Sequence, residues 1–300
     1  MGQWQYHFLK MASRLVCLLP YTWVLAIGAQ VGKLYYRIAK KQRERALRQI
    51  QERMDLSPQA AQAIIASLCA KLGQTVMEVL YIPALTPEFI AKHITIENRH
   101  YLDEALAEGH GVVFLTGHMG NWEWLGAVMS IIGFPMTSVI RRQENDQVTR
   151  FLNENRQWSG IEIFAKGTNE MLGAMRALKQ KKILGLVADQ DAGVDGQFVE
   201  FFACPASTPS GPAVFARRFK APVVSVFIVR KPGGGHRVLV QPPLYFVEQD
   251  GEEADLLRLT QEMTTLTEQV IREFPDEWLW FQKRWATRPA STQEEKNEKS

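Results

Sequence analysis

The string Thr116-Gly117-His118-Met119-Gly120-Asn121-Trp122-Glu123 sets an imidazole and a carboxylate five residues apart. A neutral histidine accepts a proton near neutral pH, and a carboxylate on its other ring nitrogen fixes the tautomer for that task. On one ideal helix five residues turn through about 500°, so His118 and Glu123 would not share a face. They meet if His118 lies in the turn before a helix and Glu123 in its first turns. Gly117 and Gly120 make such a turn easy, and backbone N–H groups at the new helix start can stabilise an oxyanion. The chemistry this suggests is general-base activation of a hydroxyl, with His118 and Glu123 as the catalytic pair. His7, His93, His100, His110 and His236 lack such a context and read as surface or structural.

Other chemistry-bearing residues come directly after short apolar runs. Arg141-Arg142 closes one run and suits a phosphate, the planar anion arginine grips best. Lys166-Gly167 closes another, and Asp189-Gln190-Asp191 a third. Gly117, Asn121, Arg141, Arg142, Asp189 and Gln190 form the expected substrate-binding set. Asp189 and Asp191 also suit a hard cation. Yet Asp189 to Gly196 is first of all a loop without calcium-loop spacing, so no metal is expected. Cys17, Cys69 and Cys204 are isolated, with no zinc-ligand or disulfide spacing. Ser207-Thr208 is not a nucleophile elbow, because no G-x-S-x-G surrounds it.

The elements that carry these residues can be read from periodicity. Val112 to Leu115, Met136 to Ile140, Ile161 to Phe164, Ile183 to Val187 and Pro222 to Val229 are continuous apolar runs, as expected of buried parallel strands. Helical stretches alternate with them: Trp122 to Ile132, Asp146 to Trp158, Asn169 to Lys181 and Pro212 to Phe219. Such alternation predicts an α/β fold with a mainly parallel central sheet flanked by helices. Arg237 to Gln241 reads as an edge strand, and residues 254–273 as a last helix stopped by Pro275. Ser57-Pro58 reads as an N-cap and first position of a helix reaching Tyr81. Another helix, Asn98 to Glu108, closes on Gly109. In such sheets ligands sit beyond the C-terminal strand ends, where the His, the carboxylates and the cations converge.

The formal charge of +3 hides an asymmetry. Residues 1–55 hold ten Lys/Arg against three Asp/Glu, and the rest of the chain 25 against 29. Leu15 to Gly32 is uncharged over 18 residues, about 27 Å of helix, the short end of a membrane span. Lys33, Arg37, Lys40, Lys41, Arg43, Arg45 and Arg48 come after it. The stretch either spans, with the body on the positive cytoplasmic side, or lies in the interface on Trp4, Tyr6, Phe8, Tyr21 and Trp23. A buried helix is the alternative. No RNA- or DNA-binding motif accompanies the basic cluster, so nucleic acid is not an expected partner.

His118-x4-Glu123 resembles the H-x4-D/E signature of the lysophospholipid and glycerolipid acyltransferase superfamily. The fuller Gly117 to Glu123 string is similar to that of its lipid A biosynthesis branch, late acyltransferases that add lauroyl or myristoyl chains. Arg141 matches the second motif, an arginine for a polar substrate head. Asp189-Gln190, Gly196 to Phe202, Ala206-Ser207-Thr208 and Gly211-Pro212-Ala213 resemble the third. Pro275 to Trp280 with Lys283-Arg284-Trp285 resembles the C-terminal signature. The Phe-Pro-Glu-Gly of glycerol-phosphate enzymes is absent, and Gln282 stands where the branch often has His, a position read as structural. Trp278, Trp280, Phe281 and Trp285 suit either a lipid interface or the core.

The resemblance implies that His118 takes a proton from an acceptor hydroxyl, which attacks an acyl thioester. The thioester is a co-substrate, brought by acyl carrier protein or acyl-CoA, and no cofactor is implied. The acceptor is a lipid A precursor or another glycolipid such as a phosphatidylinositol mannoside. The implied location is the cytoplasmic side of the cell inner membrane, held by the N-terminal segment. The expected organisation is an anchor over residues 1–55, an acyltransferase domain over 56–290 and a polar disordered tail over 291–300. Two rivals from other classes are a metal-dependent phosphohydrolase built on His118, Asp189 and Asp191, and a non-enzymatic lipid-binding protein.

Overall fold

The computed structural model describes residues 4–140, 146–165 and 168–289. Four helices come first: α1 (Trp4–Cys17), α2 (Tyr21–Ile38), α3 (Lys40–Met54) and α4 (Pro58–Tyr81). The uncharged stretch from Leu15 to Gly32 is therefore not one helix. It breaks between Cys17 and Tyr21, at the only proline of the stretch, Pro20. Among the described residues the one helix long and apolar enough to cross a membrane is Pro58–Ala84, not the N-terminal run. That helix begins as the sequence predicts: Pro58 is its first residue and Ser57 Oγ accepts from the Ala60 N–H at 3.2 Å.

The rest alternates: α5 (Pro87–His93), β1 (Ile94–Glu97), α6 (His100–Ala107), β2 (Val112–Thr116), α7 (Trp122–Ile131), β3 (Met136–Ile140), α8 (Asp146–Trp158), β4 (Glu162–Ala165), α9 (Thr168–Lys179) and β5 (Ile183–Val187). A two-stranded hairpin, β6 (Gln197–Glu200) with β7 (Pro205–Thr208), precedes α10 (Gly211–Phe219), β8 (Val223–Arg230), β9 (His236–Val240) and α11 (Glu252–Glu273). The main sheet has the order β1-β9-β8-β2-β5-β3-β4. Strands β8, β2, β5, β3 and β4 run parallel, and β9 joins β8 antiparallel. The fold is thus α/β with a mainly parallel sheet flanked by helices. One expectation is corrected: β9 is not an edge, because β1 pairs with its outer side.

Strand β2 explains the layering. All five of its residues are buried. Val112 and Phe114 enter one apolar cluster with Trp124 and Leu125 of α7, and Val113 and Leu115 enter another with residues of α9, α10 and α11. A strand covered on both faces must read as a continuous apolar run. Val16, Tyr21 and Val24 of the N-terminal helices join the Phe114–Trp124 cluster, so residues from the 1–55 segment share the core of the α/β body. Helix α2 meets α4 backbone to backbone: a Cβ on Gly73 would stand 2.1 Å from the Gly28 carbonyl oxygen, and one on Gly32 2.0 Å from that of Cys69. Residues 291–300 lie outside the described residues.

Candidate active site

Strands β2 and β5 are neighbours, so the residues just past their C-terminal ends arrive side by side. His118 comes two residues after β2 and Asp189 two residues after β5. The His118 Nδ1 lies 2.7 Å from Asp189 Oδ1, and the His118 backbone N–H donates to Asp189 Oδ2 at 2.7 Å. The Trp278 indole N–H donates to the same Oδ2 at 2.8 Å, and the Gln282 amide reaches it at 3.4 Å. Asp189 is buried. Its burial favours the neutral acid, but the charge and hydrogen bonds of His118 and the Trp278 bond outweigh this and hold its pKa low. For His118 burial opposes the charged ring, and the charge and hydrogen bond of Asp189 win, raising its pKa. Once Nδ1 carries its proton toward Asp189, Nε2 is the free acceptor. The Gln190 amide nitrogen stands 3.4 Å from that Nε2.

The turn bearing His118 is fixed from three sides. A Cβ on Gly117 would stand 3.1 Å from Asp189 Oδ2, so the small residue lets the carboxylate approach. Gly120 has φ of +58°, and a Cβ there would lie 1.9 Å from the Ile228 carbonyl oxygen. Its N–H donates to the Glu277 carbonyl at 2.9 Å, and the Leu279 N–H donates to the His118 carbonyl at 3.0 Å. Of the backbone donors expected to face an oxyanion, the Met119 N–H bonds the Gly117 carbonyl and the Gly120 N–H is taken by Glu277. The Trp122 ring meets the imidazole edge-on, with centroids 5.0 Å apart.

Two assignments change. Glu123 does not hold the imidazole. Its carboxylate takes a two-pronged bond from Arg156 of α8, at 2.9 Å and 2.5 Å, because the first turn of α7 points it across to that helix. Its charge still adds to the field that favours protonated His118. Asn121 is turned into the protein rather than toward the surface. It is buried at the N-cap of α7, where Oδ1 accepts from the Trp124 N–H at 3.0 Å and Nδ2 donates to Glu78 Oε2 at 2.9 Å. Arg141, Arg142, Lys166 and Gly167 lie outside the described residues.

Asp191 binds its own neighbourhood: its carboxylate accepts from the Thr287 hydroxyl at 2.7 Å, the Thr287 N–H at 3.2 Å and the Gly193 N–H at 3.3 Å. Among the described residues no three His, Cys, Asp or Glu side chains group as metal ligands would. Trp278 and Trp280 are fully buried, which settles the choice between core and interface for both.

A buried charge network that the sequence did not announce lies behind the turn. Glu78 of α4 is fully buried and accepts from Arg230 at 2.8 Å and 2.6 Å and from the Tyr21 hydroxyl at 2.7 Å, besides Asn121. Burial pushes its pKa up, but the Arg230 charge dominates and holds it well below the carboxylate range. Glu78 thus ties α2, α4 and β8 to the cap of the helix after His118. A narrow cleft opens against His118, walled by Leu68, Leu72, Thr75 and Trp122, with Lys71 bonded to Glu277 in its lining. A second, small hollow reaches Asp189 between Leu115, Thr208, Pro212 and Met263.

Comparison with known proteins places the chain among relatives. The family model for bacterial lipid A biosynthesis acyltransferases matches residues 2–287. A lipid A biosynthesis palmitoleoyltransferase of Escherichia coli is 26% identical over 275 residues, covering 90% of this chain and 87% of its own length. A lipid A biosynthesis lauroyltransferase of the same organism is 24% identical over 279 residues, covering 92% and 89%. A phosphatidylinositol mannoside acyltransferase of Mycobacterium tuberculosis is 26% identical over 226 residues, covering 73% and 70%.

Proposed function

The chain belongs to the bacterial lipid A biosynthesis acyltransferase family, and from that premise we propose that it moves a fatty acyl chain from a thioester to a hydroxyl of a lipid A precursor, with His118 as general base. The observation that carries the mechanism is the His118–Asp189 pair, at the ends of two adjacent parallel strands and open to a cleft. Asp189 holds Nδ1, so Nε2 takes the proton of the acceptor hydroxyl. The new alkoxide attacks the thioester carbonyl. As the tetrahedral intermediate collapses, the C–O bond stays, the C–S bond breaks and the imidazolium returns its proton to the leaving thiolate. The acceptor is itself the nucleophile, so no acyl-enzyme is needed, and the thioester supplies the activation a cofactor would otherwise bring.

Arg141 and Arg142 are assigned to a phosphate of the substrate, on the strength of their position after β3 and of arginine's preference for planar anions. Acyl carrier protein is the donor proposed, with a lauroyl or myristoyl chain. The reaction is assigned to the cytoplasmic face of the inner membrane. A second reading has one specific support: the mannoside acyltransferase relative matches at the same 26% identity as the palmitoleoyltransferase. In that reading the acceptor is a phosphatidylinositol mannoside and the donor acyl-CoA.

Mass spectrometry of membrane glycolipids, with and without the protein, tests both. Lipid A species lighter by one acyl chain in its absence, restored by wild type and not by His118→Ala, is the expected result. Unchanged lipid A would remove the main reading.

A further inference from the structure

Among the described residues, each of the two N-terminal helices leaves one face unpartnered. On α2, Trp23, Ile27, Val31, Leu34 and Ile38 recur at steps of four, four, three and four residues and are 63%, 40%, 43%, 57% and 71% exposed. On α1, Trp4, Phe8, Met11 and Leu15 recur at steps of four, three and four, Leu18 follows just past its end, and all five are more than half exposed. Such spacing puts each set on one side of its helix. Isolated exposed apolar residues need no explanation, but a continuous stripe does. At its C-terminal end the α2 stripe runs among the exposed cations Lys33, Arg37, Lys40 and Lys41.

We infer that α1 and α2 dock flat on an anionic bilayer surface and do not cross it. The inference goes beyond the acyltransfer reading: it stands on this surface alone, and a membrane-lipid acceptor would be met there. Three features exclude a span. The uncharged part of α2, Tyr21 to Gly32, is 12 residues, about 18 Å of helix against about 30 Å of hydrocarbon. The inner face of α2 is in backbone contact with α4 through Gly28, Gly32 and Gly73, so α2 cannot leave that helix. And α4 cannot enter the bilayer with it. Its Glu78 is bonded to Arg230 of β8, its Lys71 is bonded to Glu277, and Ile65, Leu68 and Cys69 are buried in the body.

What remains is an interfacial surface, with the apolar stripe set into the acyl boundary and the cations against lipid phosphates. A second copy of the chain would cover the stripe but would bring the same cations against these. The anionic leaflet answers both features at once. Tyr21 opens α2 and reaches Glu78, the carboxylate that also holds Asn121 at the start of the helix after His118. The docking surface is therefore built rigidly onto the site.

The test uses the full purified chain and vesicles. It should float with phosphatidylglycerol/phosphatidylethanolamine vesicles and bind phosphatidylcholine vesicles at least tenfold more weakly. Alkaline carbonate should strip it from membranes. Leu34→Asp with Ile38→Asp should weaken vesicle binding at least tenfold, while circular dichroism and melting temperature stay those of wild type. Retention after carbonate, no preference for anionic vesicles, an unaffected double variant, or a wild-type dimer that the double variant abolishes would each overturn the inference. A wild-type protein that docks in this way but transfers no acyl chain would remove the acyltransfer reading and leave this one standing.

Discussion

Replacing Asp189 by Asn separates the orienting role of this side chain from its place in the fold. Asp189 Oδ2 accepts from three N–H groups, those of the His118 backbone, the Trp278 indole and the Gln282 amide, and Oδ1 faces His118 Nδ1. An asparagine turned the other way would leave those donors facing an NH2 group, at about 1–3 kcal/mol for each buried one. Its carbonyl oxygen therefore takes the Oδ2 place, and its NH2 group donates to Nδ1. That forces the tautomer with the proton on Nε2, which then cannot accept one. The loss is the whole general-base contribution, roughly 10²- to 10⁴-fold in kcat, or about 3–5 kcal/mol of barrier. The pH profile adds a sign. The Asp189 anion holds His118 above its ordinary pKa, so in wild type kcat/KM falls on the acid side as the ring protonates. Without the anion the residual activity should keep its plateau to lower pH. Steady-state rates of Asp189→Asn and Glu123→Gln on an acyl thioester and a lipid A precursor decide the matter. Glu123→Gln should stay within about tenfold of wild type, because its oxygens serve Arg156. An Asp189→Asn enzyme with more than about a third of wild-type kcat, or a Glu123→Gln enzyme the more damaged of the two, would refute the reasoning.

Three further outcomes are expected from the packing. Gly120→Ala should lower the melting temperature by several degrees and destabilise by about 3 kcal/mol or more, because it combines a positive φ with a Cβ 1.9 Å from the Ile228 carbonyl oxygen. Arg230→Met should cost about 3–5 kcal/mol in urea unfolding, since it leaves Glu78 as an unpaired buried charge; adding Glu78→Leu should recover part of that loss. His236 is fully buried, its ring nitrogens lack hydrogen-bond partners among the described residues, and burial pushes its pKa down to about 4. The unfolded chain then binds the extra proton between pH 6.5 and 4, so stability falls by up to about 1.4 kcal/mol per unit as pH drops through that window. Urea midpoints of wild type and His236→Leu, compared at pH 7 and pH 4.5, check this: the variant should lose less on acidification.

The strand and helix alternation was legible because the central strands are covered on both faces, and such strands have to be apolar throughout. The start of α4 was legible because Ser57-Pro58 is local chemistry. The illegible part depends on direction in space. Spacing along the chain can bring Glu123 near His118, but only the heading of α7 decides that its carboxylate meets Arg156. Asp189 is 71 residues from His118, and its claim to the ring comes from β5 lying beside β2, a strand order that periodicity does not encode. The β8–β9 pairing did carry a signal: Gly233-Gly234-Gly235 between two β-rich runs is a hairpin loop. Strand β1, four residues with one buried, carried almost none.

The C-terminal signature makes sense as a mould rather than as chemistry. Glu277 and Leu279 bond the backbone of the turn that presents His118, and Trp278 bonds the carboxylate that orients it. Arg284, also buried, donates to the Ser207 carbonyl at 2.5 Å and to the Thr208 hydroxyl, and so ties in the β6–β7 hairpin. One short segment thus fixes blocks that stand far apart in the chain, and its aromatic richness reflects burial around the site. Gln282 belongs to the same argument. Read from sequence as structural, it reaches the dyad carboxylate at 3.4 Å, while its own Oε1 is buried with no hydrogen-bond partner among the described residues. A neutral amide there adds a donor to Asp189 without adding charge. The basicity of His118 is then left to Asp189 as the bonded anion, with Glu123 contributing only its more distant field.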